Sequence, residues 1–494
     1  MTATAGALTA ATLSTSDQKV GSTNTLTVDI TTTNPVSSGG TIEVEMPKWN
    51  PNASTSDILS MIQGSYTCTA ITNLESTITC SFSDTTDILI VSNAFNTANL
   101  AAGTNIVFST TGFRNPISTA LKDGFTVRTK AGDGGDVDTI SASVQVTTAA
   151  DITTGTISSI DTRIVQNFTT MRLVFPSPVP LDAGCLFYIT FPTDLELTTT
   201  NLTQVRGVGL FGPSKNLTFS INTTNNQLTF TDGCSTYISP SFDATIDFTS
   251  ISNPISTKPT DSISILITDS SGNNIASISS NIQYVATFGE INTTTLSATP
   301  TTVSSTSNLA VTILPNHKVT TDGALKITFP SAISFPSTTC TLSNHVALST
   351  SAVCTISGQI LRISSPFDTD YIPSSSGTIG FTVSSITMPS TTASTGSYIF
   401  QSVLVNSTID YVIDKTTYTN LITASAGTLN TVTITPTSTV ANNVTTYTIT
   451  FVNTHEIIQN GQILVQFPSE VTMSNPTQSA NQCTNGQNVD STFA

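Results

Sequence analysis

The feature that most constrains this chain is its likeness to itself. Four segments carry large apolar residues at every second position and then stop at a proline: Ile42-Glu43-Val44-Glu45-Met46-Pro47, Phe187-Tyr188-Ile189-Thr190-Phe191-Pro192, Leu325-Lys326-Ile327-Thr328-Phe329-Pro330 and Ile463-Leu464-Val465-Gln466-Phe467-Pro468. Their prolines stand 145, 138 and 138 residues apart, so one unit of about 138 residues is copied along the polypeptide. A period of two places the apolar side chains on one face and mostly Glu, Thr, Lys or Gln on the other, the pattern of a strand with one buried and one wet face. Proline ends each strand by withholding an N–H. Each segment is entered through a turn, Gly39-Gly40, Asp182-Ala183-Gly184, Asp322-Gly323 or Asn460-Gly461. The positive φ that such residues tolerate predicts a hairpin at this point of every copy.

Further landmarks keep the same register. Residues 25–30, 308–313 and 446–451 form an alternating run ahead of the turn. Residues 105–108, 245–248 and 378–381 form another downstream, followed by Asn115-Pro116, Asn253-Pro254 and Met388-Pro389. Ile88, Leu228 and Leu361 stand 20 residues before Phe108, Phe248 and Phe381, each inside an apolar run. Many short strands parted by Gly, Pro, Asn, Asp and Ser turns, with no helical periodicity, predict an all-β chain: a tandem array of immunoglobulin-like Greek-key β-sandwich domains in a rod or filament. The repeats are expected at residues 1–147, 148–287 and 288–424. A partial fourth repeat, 425–494, continues beyond this sequence or is completed by another subunit. At about 138 residues each unit exceeds the roughly 100 usual for the fold, so extra strands or long loops are expected. The joins at 148–158, 288–295 and 424–433 carry no Gly/Ser-rich or charged linker, which predicts a stiff string of beads.

Composition supports this reading. Ser and Thr make up 161 of the 494 residues and only 9% are charged. The β-branched and aromatic residues are enough to build cores, and the strong helix formers are scarce. A net charge of −16 repels phosphate backbones and anionic lipid, which argues against nucleic-acid binding and peripheral membrane docking. No run approaches 18 consecutive apolar residues, so no membrane-spanning helix is expected. Residues 1–10 have neither the basic start nor the apolar centre of a signal peptide, so the expectation is that one has been removed or that the chain is an excerpt.

The seven cysteines fall by copy as Cys68 and Cys80, Cys185 and Cys234, Cys340 and Cys354, and a lone Cys483. Two per full copy predict one disulfide inside each domain and hence an oxidising setting. Free buried thiols are the alternative. Cys185 and Cys234 do not sit where the other copies place theirs, and Cys483 is unpaired within this chain, left to a residue beyond Ala494 or to another chain. Sequons for N-glycosylation occur at Asn52, Asn167, Asn201, Asn216, Asn222, Asn292, Asn406 and Asn443. Their number is no excess for 35 asparagines in so hydroxyl-rich a chain, yet Asn167 and Asn443 both lie 25 residues before their proline, in a loop ahead of a strand. Dense Ser and Thr could carry O-linked sugar as well, or Thr serves simply as the outward residue of strands.

No catalytic constellation is visible. His317, His345 and His455 are scattered in turns or near strand starts, without an HExxH or GxSxG signature. The run Asp133-Gly134-Gly135-Asp136-Val137-Asp138 could suit calcium, but it lacks the bidentate Glu of an EF-hand, and the second copy has an ordinary turn there, Asp269-Ser270-Ser271-Gly272-Asn273. Neither a metal nor any other cofactor is expected apart from covalent glycans. Trp49 is read as a loop or core aromatic, with a sugar-binding platform as the alternative.

The unit Gly-x-Ile-x-Val-x-Phe-Pro, then two Cys, then a strand ending in Phe and an Asn-Pro-x-Ser (Asn115-Pro116-Ile117-Ser118, Asn253-Pro254-Ile255-Ser256), resembles the very large tandem immunoglobulin-like repeat proteins of ciliates and other protists. The pattern departs at Cys185, which replaces the strand-leading Gly, and at Met388, which replaces Asn. The resemblance implies an extracellular or cell-surface, Thr/Ser-rich protein, some of whose relatives form glycan-coated fibres. The expected function is therefore structural, with self-association or further copies of the repeat as partners. A stalk of an adhesin or surface receptor is the alternative, and accessory domains of a carbohydrate-active enzyme a third reading.

Overall fold

A backbone with one apolar face and one hydroxyl-bearing face can bond sideways to its neighbours while hiding the apolar face, and the alternating segments do so. In the computed structural model of the chain the described residues are 4–50, 60–195, 197, 202–209, 212–234, 237–240, 243–420, 422–457 and 461–472. The chain divides into two compact units, Met1–Phe288 and Gly289–Ala494. The first contains two β-sandwiches, and the second contains one sandwich followed by a two-stranded sheet.

The first sandwich is built from β1 (Gly6–Ala7), β2 (Ala10–Thr15), β3 (Thr23–Thr31), β4 (Thr41–Glu45), β5 (Cys68–Thr72), β6 (Thr79–Ser83), β7 (Ile88–Ser92), β8 (Asn105–Arg114), β9 (Lys122–Lys130) and β10 (Asp136–Val144). One sheet runs β2-β3-β8-β5 and the other β1-β10-β9-β4-β7-β6. Hairpins join β2 to β3, β6 to β7 and β9 to β10, while the remaining connections pass from sheet to sheet, the Greek-key wiring of an immunoglobulin-like fold. The β6–β7 hairpin, added beside β4, accounts for much of the extra length of the repeat. Within the second sheet Val44 lies opposite Val127 on one side and Leu89 on the other. These residues join Leu26, Val28, Ile30 and Phe108 of the first sheet in one continuous, fully buried core.

The other copies follow the same plan. Phe168–Pro176, Leu186–Thr190 and Asp243–Ser252 stand in the places of β3, β4 and β8 in the second sandwich. Thr306–Pro315, Gly323–Thr328 and Ile379–Thr387 do so in the third. Met46, Phe191 and Phe329, which close the equivalent strands, are 3%, 2% and 3% exposed. Phe191 meets Phe248 edge-on at 5.2 Å, and Phe329 meets Tyr398 at 5.6 Å.

Two sequence expectations need correction. The glycine turn before β4 does not form a hairpin, because β3 pairs with β2 and β8 whereas β4 pairs with β7 and β9. The turn instead carries the chain between sheets. Gly39 takes φ +80°, and a side chain on Gly40 would strike the carbonyl of Lys130, so the glycines serve a corner rather than a β-ribbon. Alternation reports which face of a strand is buried and is silent on which sheet the strand joins. In the fourth copy Asn430–Pro436 pairs with Tyr447–Val452, but residues 461–472 form no strand. In the full copies the equivalent strand is held on both sides by strands that come later in the chain, and no described residue of the fourth copy supplies them. Phe467 there leans on Tyr447, with ring centroids 5.8 Å apart. Asn460 lies outside the described residues.

Each sandwich closes its own core, so damage to one should stay local. Phe248→Ala removes a fully buried ring and is expected to cost the second sandwich about 3–5 kcal/mol. Differential scanning calorimetry of the whole chain should show one transition lowered and the others in place.

Candidate functional site

The polar and covalent features of the chain gather at the margins of the sandwiches, so the candidate site is the set of devices that close each copy and join it to the next. Disulfides join Cys68 to Cys80, Cys185 to Cys234 and Cys340 to Cys354, with Cα–Cα distances of 5.7, 5.3 and 5.4 Å. The bridge from Cys68 to Cys80 links β5 to β6, the outer strands of opposing sheets. Cys340 and Cys354 link the same margins of the third sandwich. Loops of 12 and 14 residues are closed in this way, each worth about 3 kcal/mol through restriction of the unfolded chain. The bridge from Cys185 to Cys234 lies elsewhere, tying the start of the β4 counterpart to the chain leaving the β7 counterpart. Cys483 lies outside the described residues.

A second device is the asparagine before proline. The Nδ2 of Asn115 donates to the carbonyls of Asp17 and Lys19 at 2.7 Å each, and its own carbonyl accepts from the indole of Trp49 at 2.7 Å. Asn253 repeats this, donating to Thr162 and Ile164 at 3.0 and 2.7 Å while its Oδ1 accepts from the Tyr284 hydroxyl at 3.0 Å. Each carboxamide thus ties the loop after the β8 strand to the turn before the β3 strand. Trp49 is 3% exposed, with the Arg114 guanidinium 4.0 Å from its ring centre. It is a core residue and offers no open platform to a sugar.

The joins are the third device. Val20 donates its N–H to the carbonyl of Thr148, and Thr147 and Thr148 donate to Gln18, so the segment leaving the first sandwich is bonded to it by an isolated bridge. Ala150 and Asp151 then pair with Ala276 and Ser277 of the second sandwich. Side chains reinforce this junction: Lys19 meets Asp151 at 2.6 Å, the Ser118 hydroxyl donates to Asp269 at 3.2 Å, and Thr119 and Asn274 exchange bonds of 2.9 Å. At the far end of the second sandwich Val165 bonds to Thr287. In the second unit Gly289 bonds to Ile413, and Val303 bonds to Ser425.

Buried carboxylates pin the crossing between sheets. Asp138, wholly buried on β10, accepts from the N–H groups of Thr33 and Asn34 at 2.9 Å and from Asn34 Nδ2 at 2.6 Å. Asp414 takes the same place in the third sandwich, accepting from His317 N–H at 2.9 Å and contacting its Nδ1 at 2.6 Å. His317 thus substitutes for Asn34 in a structural role. His345 lies exposed in Leu342–Val346, and His455 stands against Gly427 as His317 stands against Gly289. The run from Asp133 to Asp138 is the β9–β10 turn, in which Asp133 accepts from Gly135 N–H and Asp136 pairs with Lys130 at 3.3 Å. Asp269 organises the corresponding turn of the second copy. Among the described residues no three His, Cys, Asp or Glu are grouped to hold a metal ion.

The sparse charges bridge neighbouring strands. Arg172 grips Asp247 through two bonds of 2.7 and 2.8 Å across the β3–β8 pair of the second copy. Asp410 accepts from Lys326 at 3.0 Å and from Arg362. Burial pushes the Asp410 carboxyl up, but the two cations outweigh it and hold it below the ordinary carboxylate value. Of the sequon asparagines, Asn216, Asn222, Asn292, Asn406 and Asn443 are exposed and Asn167 is half-buried. Asn52 and Asn201 lie outside the described residues.

No protein family matches this chain by sequence, and no curated protein is similar to it. Solved structures give distant likenesses. A putative membrane-anchored protein from Corynebacterium diphtheriae is 11% identical over 84% of this chain and 92% of its own, with a TM-score of 0.17. A serine-rich repeat adhesion glycoprotein from Streptococcus agalactiae is 12% identical over 56% of this chain and 97% of its own, at 0.18. The BSP domain of a biofilm-associated protein is 9% identical over 92% and 94%, at 0.19. Scores this low add no argument; the immunoglobulin-like assignment is carried by the strand order itself.

Two expectations follow. Asn253→Ala strands the Tyr284 hydroxyl and two carbonyls, and should cost the second sandwich about 1–3 kcal/mol in calorimetry. A carboxylate held lower in the folded than in the unfolded state contributes stability that is present above its unfolded pKa and lost as pH falls through the folded one. The third sandwich should therefore lose melting temperature as acidification proceeds below about pH 4, and Asp410→Asn should make that decline shallower.

Proposed function

We propose that this protein is structural: tandem sandwiches, stapled by disulfides and coated with sugar, that form an extracellular fibre or cell-surface coat. The observation that carries the reading is the join. Residues 147–151 pass from bonds with the first sandwich directly to bonds with the second, leaving no slack segment to act as a hinge. Repetition is then the mechanism, since each copy buries its own core and length grows with copy number. We take the repeats as 1–147, 148–287, 288–424 and 425–494, with self-association or further copies of the repeat as partners.

Disulfides support an oxidising, extracellular or surface setting. Chemistry is not part of the proposal: His317 and the buried carboxylates hold backbone crossings, and the ion pairs bridge neighbouring strands. The exposed sequons, above all Asn406 at a hairpin turn, Asn222 at the end of a strand and Asn443 in a loop, are the proposed glycan sites. The resemblance to the fibre-forming repeat proteins of protists belongs to this proposal. An adhesin or receptor stalk is the second reading, favoured by the same stiff join.

Electron microscopy of protein purified from its source should show long continuous fibres; isolated stalks bearing a distinct head would shift the assignment to the second reading. Peptide mapping after amidase treatment in heavy water is expected to find Asn222, Asn406 and Asn443 converted to labelled Asp. Unmodified asparagine at all three positions would remove the glycan coat.

A further inference from the structure

The three disulfides do not do the same work. In the first copy β5 pairs in its sheet with β8 and β6 with β7, so each has one side without a ladder partner, and these two margins face each other across the open side of the sandwich, spanned by one bond from the Phe82 N–H to the Tyr66 hydroxyl at 2.9 Å. The backbone between them, residues 73–78, is long enough to let them part. Cys68–Cys80 cinches them, and Cys340–Cys354 does so in the third copy, where the Ile356 N–H also donates to the carbonyl of Thr338 at 2.7 Å across the same margin.

The second copy has no bridge there and needs none. Its outer strands, Gly212–Asn216 and Phe219–Asn222, are joined by Leu217 and Thr218 alone. Leu217 is 4% exposed and its N–H donates to Val205 at 2.9 Å, while Thr218 N–H donates to Asp232 at 3.0 Å. A short, bonded crossing performs the task that a disulfide performs elsewhere. The bridge this copy does contain is of another kind: Cys185 and Cys234 are 1% and 2% exposed, and Cys185 shares a cavity of about 170 Å³ with Ile117 and Ser118 of the first sandwich. Cys68, Cys80 and Cys340 are by contrast half-buried, so each latch has at least one sulfur nearer to solvent, although Cys354 is 8% exposed.

We infer that Cys68–Cys80 and Cys340–Cys354 are thiol–disulfide exchange sites, reducible latches on the open margins of their sandwiches, and that Cys185–Cys234 is a permanent staple beyond reach of the same reagent. A dithiol reductant supplies the chemistry. Its first thiolate attacks one sulfur of the latch and releases the other cysteine as a thiolate that takes up a proton. Its second thiol then displaces the first cysteine, so the latch gains two electrons and two protons and the dithiol becomes a disulfide. The opened copy keeps its core and the few bonds that anchor the connecting loop, such as Glu75 to Ala94 and Ser349 to Pro366, and its outer strands gain local mobility without separating.

Graded dithiothreitol on the folded whole chain, followed by alkylation and peptide mass spectrometry, tests this. Cys68, Cys80, Cys340 and Cys354 should be labelled at least about tenfold faster than Cys185 and Cys234, with far-ultraviolet circular dichroism unchanged. Amide hydrogen exchange should rise in residues 68–83 and 340–357 and stay constant in 212–222. The variant Cys68→Ser with Cys80→Ser should reproduce the rise in the first copy alone. Equal labelling of all six cysteines, unchanged exchange at the two margins, or loss of the β-sheet signal in step with labelling would each overturn the inference.

Discussion

The central strands of the three sandwiches hide one face, and that single constraint dictates most of what surrounds them. A sheet apolar on one side has to meet a second sheet, and two facing sheets leave open margins where backbone groups and core edges meet water. The molecule closes one margin with its own first strand, which begins in one sheet as β1 and continues in the other as β2. The opposite margin is closed by a cystine in the first and third copies and by a two-residue crossing in the second. Interchange of these solutions shows that the margin, not the bond type, is what needs holding.

Polar chemistry in the interior is organised around the same crossings. Asp138 and Asp414 would be costly buried charges if left alone, yet each collects the N–H groups of the chain as it turns from one sheet to the other. Asn34 and His317 present different side chains to the same acceptor, which is why a histidine in this fold need not signal reactivity. Asn115 and Asn253 tie a neighbouring loop in the same manner. With so few charges available, the chain relies on neutral carboxamides and hydroxyls for these ties.

Much of this could be read from the residues, and what could not has identifiable reasons. The alternation at Leu26, Val28 and Ile30 or at Ile42 and Val44 marks buried faces directly, because burial acts on each side chain separately. The glycine corner at Gly39-Gly40 carries the same residues as a hairpin turn, since positive φ is common to both and only long-range pairing separates them. Asn115-Pro116 was visible as a recurring pair, but its role depends on Asp17, Lys19 and Trp49, which are distant in sequence. The segment from Ile463 to Phe467 has the composition of a strand, and no described residue pairs with it, so pattern alone could not decide its structure.

The way β1 sits has a mechanical consequence. Gly6 and Ala7 run parallel to Asp138 and Thr139 at the opposite end of the sequence of that sandwich, so tension drawn through the polypeptide slides these segments past one another. Bonds loaded in that direction have to rupture together rather than unzip singly. A copy arranged in this way resists stretching through the few residues at its entry and exit, before its interior bears any load.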